Sequence, residues 1–198
     1  KTLKQIDYIA KKAINEGATP GIQVFVAKNG RTVYNRSFGK HVYGPKSNYV
    51  SNNDLYDLAS ITKVAATTLT LMKLVEEEEI SLDDKMSKYL TELKGTNKEF
   101  MTIRQVLEHK AGLYSWIPFY YETVTDSTLH DSIYSITSND TQNIHVGVDL
   151  YMLNGYKEVI MQKIYDSEMG TVGKYKYSDL GMILMKEIIE KVTGSRFQ

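Results

Sequence analysis

Leu55-Tyr56-Asp57-Leu58-Ala59-Ser60-Ile61-Thr62-Lys63 is the stretch on which the reading of this chain turns. A serine hydroxyl is a poor nucleophile near neutral pH and needs a proton acceptor beside it. On a helix, residues three apart share a face, so Ser60 and Lys63 can meet. Burial disfavours an ammonium, so a lysine in such a place can be a neutral amine that takes the serine's proton. A serine at a helix N-terminus also lies among free backbone N–H groups, which favour developing negative charge. The mostly apolar lead-in predicts a buried approach. Ile61, Val64, Ala65, Thr68, Met72 and Val75 form an apolar stripe, which predicts a long amphipathic helix opening at Ser60. The S-x-x-K pattern alone carries little weight: it recurs at Ser37-Phe38-Gly39-Lys40, at the end of a strand, where the two residues share no helix face. By itself Ser60 reads somewhat more readily as a helix cap than as a nucleophile.

A second constellation lies far along the chain. Tyr177-Ser178-Asp179 precedes a strongly periodic helix and is the single Tyr-x-Asp among 15 tyrosines. A tyrosine at a loop-to-helix junction can project into a cleft and relay protons. The plainer reading is that Asp179 or Ser178 caps the helix while Tyr177 packs.

Between and around these motifs the periodicity is clear in places. Ile6, Ile9, Ala10, Ala13 and Ile14 predict a helix stopped at Gly17. After Pro20-Gly21, residues 22–27 and 32–38 predict two strands joined by a tight turn at Asn29-Gly30. Ser81-Leu82-Asp83-Asp84 predicts a short helix to about Leu90. Thr102 with Gln105 predicts a capping box, for a helix through His109 ended by Gly112. Residues 114–154 have weak periodicity and read as a long, partly irregular excursion of the kind used for binding loops or lids. Residues 156–165 and 179–192 predict helices, with Gly194 past the end of the second. The strands thus fall within the first 40 residues and helices come after them. A two-stranded hairpin is a poor core, so the sheet should gain strands that this chain does not supply.

Composition narrows the function classes. The 198 residues are 42% hydrophobic and 24% charged, with 24 basic and 24 acidic side chains and no net charge. Nothing basic points to nucleic acid or a membrane surface. The acidic run Glu76–Glu79 reads as a solvated helix end. There is no cysteine, which excludes disulfides and a thiolate nucleophile. The four histidines (His41, His109, His130 and His145) lack metal-ligand spacing. No apolar run approaches the about 18 residues of a membrane span.

Taken together, the two motifs and their separation resemble the penicillin-recognising serine hydrolases, in particular the class C β-lactamase and D-alanyl-D-alanine carboxypeptidase branch with its related esterases. Further segments agree in order: Pro20-Gly21-Ile22-Gln23-Val24 with Asn29-Gly30, Ser81-Leu82-Asp83-Asp84 through Leu90, and Thr102-Ile103-Arg104 through Leu113. Tyr56–Ala59, Lys94–Lys98 and Tyr177–Gly181 look nearest to β-lactamase-like domains fused behind family 3 β-N-acetylglucosaminidases. The resemblance implies an α+β fold of the β-lactamase/DD-peptidase type. Residues 1–58 would form helix and sheet hairpin, and residues 59–198 a mainly helical region. It implies Ser60 as acylated nucleophile, Lys63 as its activator, Tyr177 as general acid/base and Asp179 at a substrate-binding position usually held by asparagine. His109 and Gly112 match positions that look structural.

The family's third motif, K-T-G or H-x-G on a late strand, has no match, since Val192-Thr193-Gly194 ends a helix. That strand also supplies an oxyanion N–H, so residues 1–198 read as the N-terminal portion of one domain, inactive alone, with the final strands elsewhere. The implied function is a serine hydrolase acting through an acyl-enzyme on peptide, ester or β-lactam carbonyls, related to the cell wall. Its partner is a small-molecule or peptide substrate, with no nucleic acid and no cofactor, because lysine and tyrosine supply the acid–base chemistry. Periplasmic or extracellular export goes with this reading. The alternatives are a catalytically inactive binding domain of the same fold and a structural appendage to an enzyme.

Overall fold

The structure is a computed structural model that describes residues 2–197. It divides into two compact units, one running to Leu58 and one beginning at Ala59.

In the first unit, helix α1 (Thr2–Asn15) ends as the sequence predicts, with Gly17 at φ 73°. Strands β1 (Gly21–Lys28) and β2 (Arg31–Gly39) pair antiparallel. Their two-residue connection, Asn29 at φ 50° and Gly30 at φ 73°, has the left-handed geometry that matches strand twist. The base of the hairpin is a paired Gly21 and Gly39. A Cβ on Gly21 would sit 2.4 Å from the Lys40 carbonyl oxygen, so the Pro20-Gly21 break allows backbones to close on one another. Asp7 ties α1 to β2, accepting from the Tyr34 hydroxyl at 2.5 Å and from Arg36 at 3.0 Å.

The second unit holds the main hydrophobic core, built where α5 (Leu180–Thr193) meets α3 (Ile103–Leu107), α4 (Tyr156–Asp166) and α2 (Leu69–Glu76). Leu180, Leu184, Met185 and Ile188 are fully buried on one face of α5, with Ile103, Ile164 and Leu71 among their cluster. Gly194 at φ 64° closes α5 as its sequence predicts. At α3 the capping box is complete: Thr102 Oγ1 accepts from the Gln105 N–H, and Gln105 accepts from the Thr102 N–H. That helix ends at Leu107, earlier than expected, because His109 turns left-handed at φ 55°.

Further expectations are corrected. The helix after Ser60 is not one α-helix. A 3₁₀ turn over Ala59–Ile61 leads to a π turn over Lys63–Thr68, and α2 begins only at Leu69. The wider π turn holds an extra residue and rotates the helix beyond it. The core face therefore carries Thr67, Leu71 and Leu74, while Ile61, Val64 and Met72 of the expected stripe are exposed. The lead-in is not buried either: Leu55 is 98% exposed.

Residues 81–90 form turns with one 3₁₀ turn at Met86–Lys88 rather than a helix, because Asp84 folds back on them. Asp84 accepts from the Ser81 N–H, from Lys88 and from the Tyr89 hydroxyl.

The excursion at 114–154 is not mostly irregular. It carries the hairpin β3 (Val124–Thr125) and β4 (Thr128–Leu129), and a three-stranded sheet ordered β5 (Tyr134–Ser135), β7 (Leu150–Leu153), β6 (Gln142–Gly147). Strands thus occur beyond residue 40 as well. Among the described residues no helix is long and apolar enough to cross a membrane.

Candidate active site

Ser60 lies in the middle of the 3₁₀ turn, after Ala59 at φ 44°. A left-handed alanine costs about 1 kcal/mol, and such strain gathers where a neighbouring side chain must be held in one direction. Lys63 opens the π turn. Its carbonyl accepts from the Thr68 hydroxyl at 2.7 Å, which helps hold the wide turn open. The side chains meet as their spacing predicts: Lys63 Nζ donates to Ser60 Oγ at 3.0 Å.

Tyr177-Ser178-Asp179 is delivered to the same place by a second segment. Residues 109–115 run alongside 170–179. Gly170 N–H donates to the Gly112 carbonyl at 2.7 Å, Lys176 N–H to the His109 carbonyl at 2.8 Å, and Asp179 N–H to the Ser115 carbonyl at 2.8 Å. Buried Ser178 is the pin. Its hydroxyl donates to the Tyr114 carbonyl at 2.6 Å and accepts from the Leu180 N–H at 3.2 Å. Capping of α5 thus falls to Ser178. The Asp179 side chain makes no cap and is free for another contact.

That contact is Lys63, whose Nζ stands 2.7 Å from Asp179 Oδ1. The angles miss hydrogen-bond geometry, so Oδ1 is buried against a charge without an aligned donor. At that distance the two groups attract as an ion pair all the same, because Coulomb attraction needs proximity more than alignment. Lys63 Nζ also lies 5.2 Å from the centre of the Tyr177 ring. One lysine nitrogen therefore links Ser60, Tyr177 and Asp179.

The charges explain the protonation states. Burial pulls the Lys63 pKa down, but the Asp179 carboxylate 2.7 Å away and the neighbouring Tyr177 side chain outweigh it and leave it raised. Lys63 is thus an ammonium that donates, not the neutral amine that burial alone suggests. Tyr177 shifts the other way: hydrogen bonding with Ser60 and with Lys63 lowers its pKa against burial and the Asp179 charge.

His109, read from sequence only as structural, packs its ring 4.6 Å from that of Tyr177. Its Nδ1 accepts from the Ser178 N–H at 3.2 Å, which fixes the neutral ring with its proton on Nε2. Burial, then the Lys63 charge, hold its pKa down. The signal for this role was its place after the α3 capping box, where the chain turns back toward 176–178.

A concavity of about 440 Å³, lined by Glu78, Asp83, Asp84 and Arg104 among others, involves none of these residues.

The family described as Beta-lactamase matches residues 6–198. Protein flp of Staphylococcus aureus (strain NCTC 8325 / PS 47) is 29% identical over 200 residues, covering 98% of this chain and 34% of that protein. The N-acetylmuramyl-L-alanine amidase of Bacillus subtilis (strain 168) is 28% identical over 206 residues, covering 98% of this chain and 42% of its own length. The crystal structure of a class C beta lactamase shares the fold at a TM-score of 0.68 and 20% identity, covering 98% of this chain and 45% of that one. The chain thus spans less than half the length of each of these proteins, in a fold of mixed helix and sheet. With a match over nearly its whole length, this chain belongs to the Beta-lactamase family.

Proposed function

We propose that the protein is a serine hydrolase that works through an acyl-enzyme on Ser60, with Tyr177 as general acid/base and Lys63 as the cation that holds both. The observation that carries this is the single Lys63 ammonium in contact with Ser60 Oγ, with the Tyr177 ring and with Asp179. The lowered Tyr177 pKa favours a phenolate beside the serine hydroxyl. Ser60 Oγ attacks the substrate carbonyl carbon as its proton passes to the Tyr177 oxygen. The tetrahedral intermediate collapses, the bond to the leaving group breaks, and that group takes the proton from Tyr177. Water then attacks the acyl carbon and gives a proton to Tyr177. The acid departs and Ser60 recovers its proton. Lys63 stays charged throughout, stabilising the phenolate and orienting the serine.

The substrates in this reading are peptide, ester or β-lactam carbonyls. The similarity to a Bacillus amidase whose name places it on muramyl peptides favours cell-wall fragments, and with them a periplasmic or extracellular site of action. The test is turnover of a panel of acyl esters, muramyl peptides and a chromogenic β-lactam by the natural protein, any sequence beyond Gln198 included. The reading predicts release of acid from at least one class, lost about a thousandfold or more in Ser60→Ala. Equal rates in wild type and Ser60→Ala on every hydrolysed substrate would refute it.

A further inference from the structure

Asp179 presents two different oxygens. Oδ1 is fully buried and faces Lys63, yet the side chain as a whole is 49% exposed. The exposure therefore lies on the rest of the side chain, Cβ and the second oxygen Oδ2, which no hydrogen bond or ion pair among the described residues occupies. Lys63 is itself only 17% exposed and stands between Ser60 Oγ and Oδ1. Oδ2 is thus an open acceptor whose partner oxygen is fixed one ammonium away from the nucleophile. Lys176, the cation nearest in sequence, lies 4.7 Å from the Tyr114 ring centre and is engaged there. The Asp179 backbone is held by the Ser115 carbonyl and the start of α5, so the carboxylate has little freedom to swing away. An ionised carboxylate only accepts hydrogen bonds, so it repels an acyl group that offers a carbonyl oxygen and attracts one that offers N–H or N⁺–H.

We propose that Asp179 selects the substrate class: acyl donors with a free ammonium next to the scissile carbonyl, that is, unblocked aminoacyl esters or amides. Oδ2 receives the ammonium while Oδ1 keeps Lys63 in place. Capping that amine by acylation replaces a charged donor with a neutral one and adds an acceptor oxygen that Asp179 cannot satisfy. This rests on the serine-hydrolase reading and adds no covalent step to it.

The test compares the methyl esters of alanine and N-acetylalanine, both enantiomers, at about pH 6.5, where an α-amine is charged. The protein is the natural one, as wild type, Asp179→Asn and Asp179→Ala. Fluorophosphonate labelling of Ser60 is run on each in parallel. The wild type is expected to prefer the free-amine ester in kcat/KM by about tenfold or more, and both variants to lose most of that preference. Wild-type preference for the N-acetyl ester overturns the assignment. So does an unchanged preference in the variants while Ser60 still takes the label, which leaves the hydrolase reading standing. Absence of label in folded wild type overturns that reading and the assignment with it.

Discussion

At Lys63 two effects oppose each other. Burial would strip the side chain of its proton, and the Asp179 and Tyr177 partners restore it. Two carboxylate or phenolate neighbours at contact distance outweigh the partial desolvation of a side chain that still keeps 17% of its exposure. The signs set the pH profile. Activity rises as Tyr177 becomes phenolate, at a pKa below the ordinary phenol value, and falls as Lys63 loses its proton, at a pKa above the ordinary lysine value. The groups are close enough that each limb belongs to the set rather than to one residue. Asp179→Asn removes a negative charge that raises both pKa values, so both limbs of kcat/KM against pH should move to lower pH. Limbs that stay in place would show that Asp179 does not set the protonation of Lys63 or Tyr177. Lys63→Ala should lower kcat/KM about a hundredfold or more, since the phenolate loses its cation. A loss under fivefold would contradict the role given to Lys63.

Among the elements, the supports of the site make separate predictions. Lys98 is fully buried, and its ammonium donates to Asn97 Oδ1 and to the carbonyls of Tyr165 and Ser167 at the C-terminal end of α4. It satisfies acceptors that a helix end leaves without intrahelical partners, at the cost of burying a charge. Lys98→Ala should destabilise the fold by about 3–5 kcal/mol in urea unfolding, and a change within about 0.5 kcal/mol would contradict the capping role.

The packing of α5 on α3 needs Gly181. A Cβ there would stand 2.4 Å from Val106 Cγ1, on a branched side chain too short to bend aside. Gly181→Ala should cost about 1–3 kcal/mol of stability, and the double variant with Val106→Ala should recover part of it. Additive effects in that pair would contradict the clash.

The turn before α3 depends on Asp84, which the Lys88 ammonium and then the Tyr89 hydroxyl hold at a pKa of about 2 against burial. A carboxyl lowered on folding contributes stability that is complete above its unfolded pKa and is lost as pH falls through its folded one. Asp84→Asn should therefore cost about 1–2 kcal/mol at neutral pH, and its difference from wild type should close as pH falls from about 4 to about 2.

For the molecule as a whole, the sequence was most legible where local chemistry dictates geometry. Asn29-Gly30 prescribes its turn, Thr102 with Gln105 its cap, and Gly194 its helix stop, and each needs only neighbours in the chain. Ser60 and Lys63 meet because their spacing places them on adjacent turns. Other features were set by distant partners and required the structure. The π turn that moves the core face to Thr67, Leu71 and Leu74 leaves no trace in a pattern read at 3.6 residues per turn. The small sheet of β5, β7 and β6 is built from short, polar strands with bulged register, which weakens their alternation. That Ser178 rather than Asp179 caps α5 depends on the Tyr114 carbonyl, 64 residues away. The charge of Lys63 depends in turn on the carboxylate left free by that choice.

The chemistry proposed for this protein rests on Ser60 as the residue acylated. The most direct measurement is mass-spectrometric mapping of the adduct after a fluorophosphonate reacts with the folded natural protein. The expected result is one adduct on the peptide carrying Ser60, absent in Ser60→Ala and slowed strongly in Lys63→Ala. An adduct on another serine that survives in Ser60→Ala, or none on folded wild type, would contradict it.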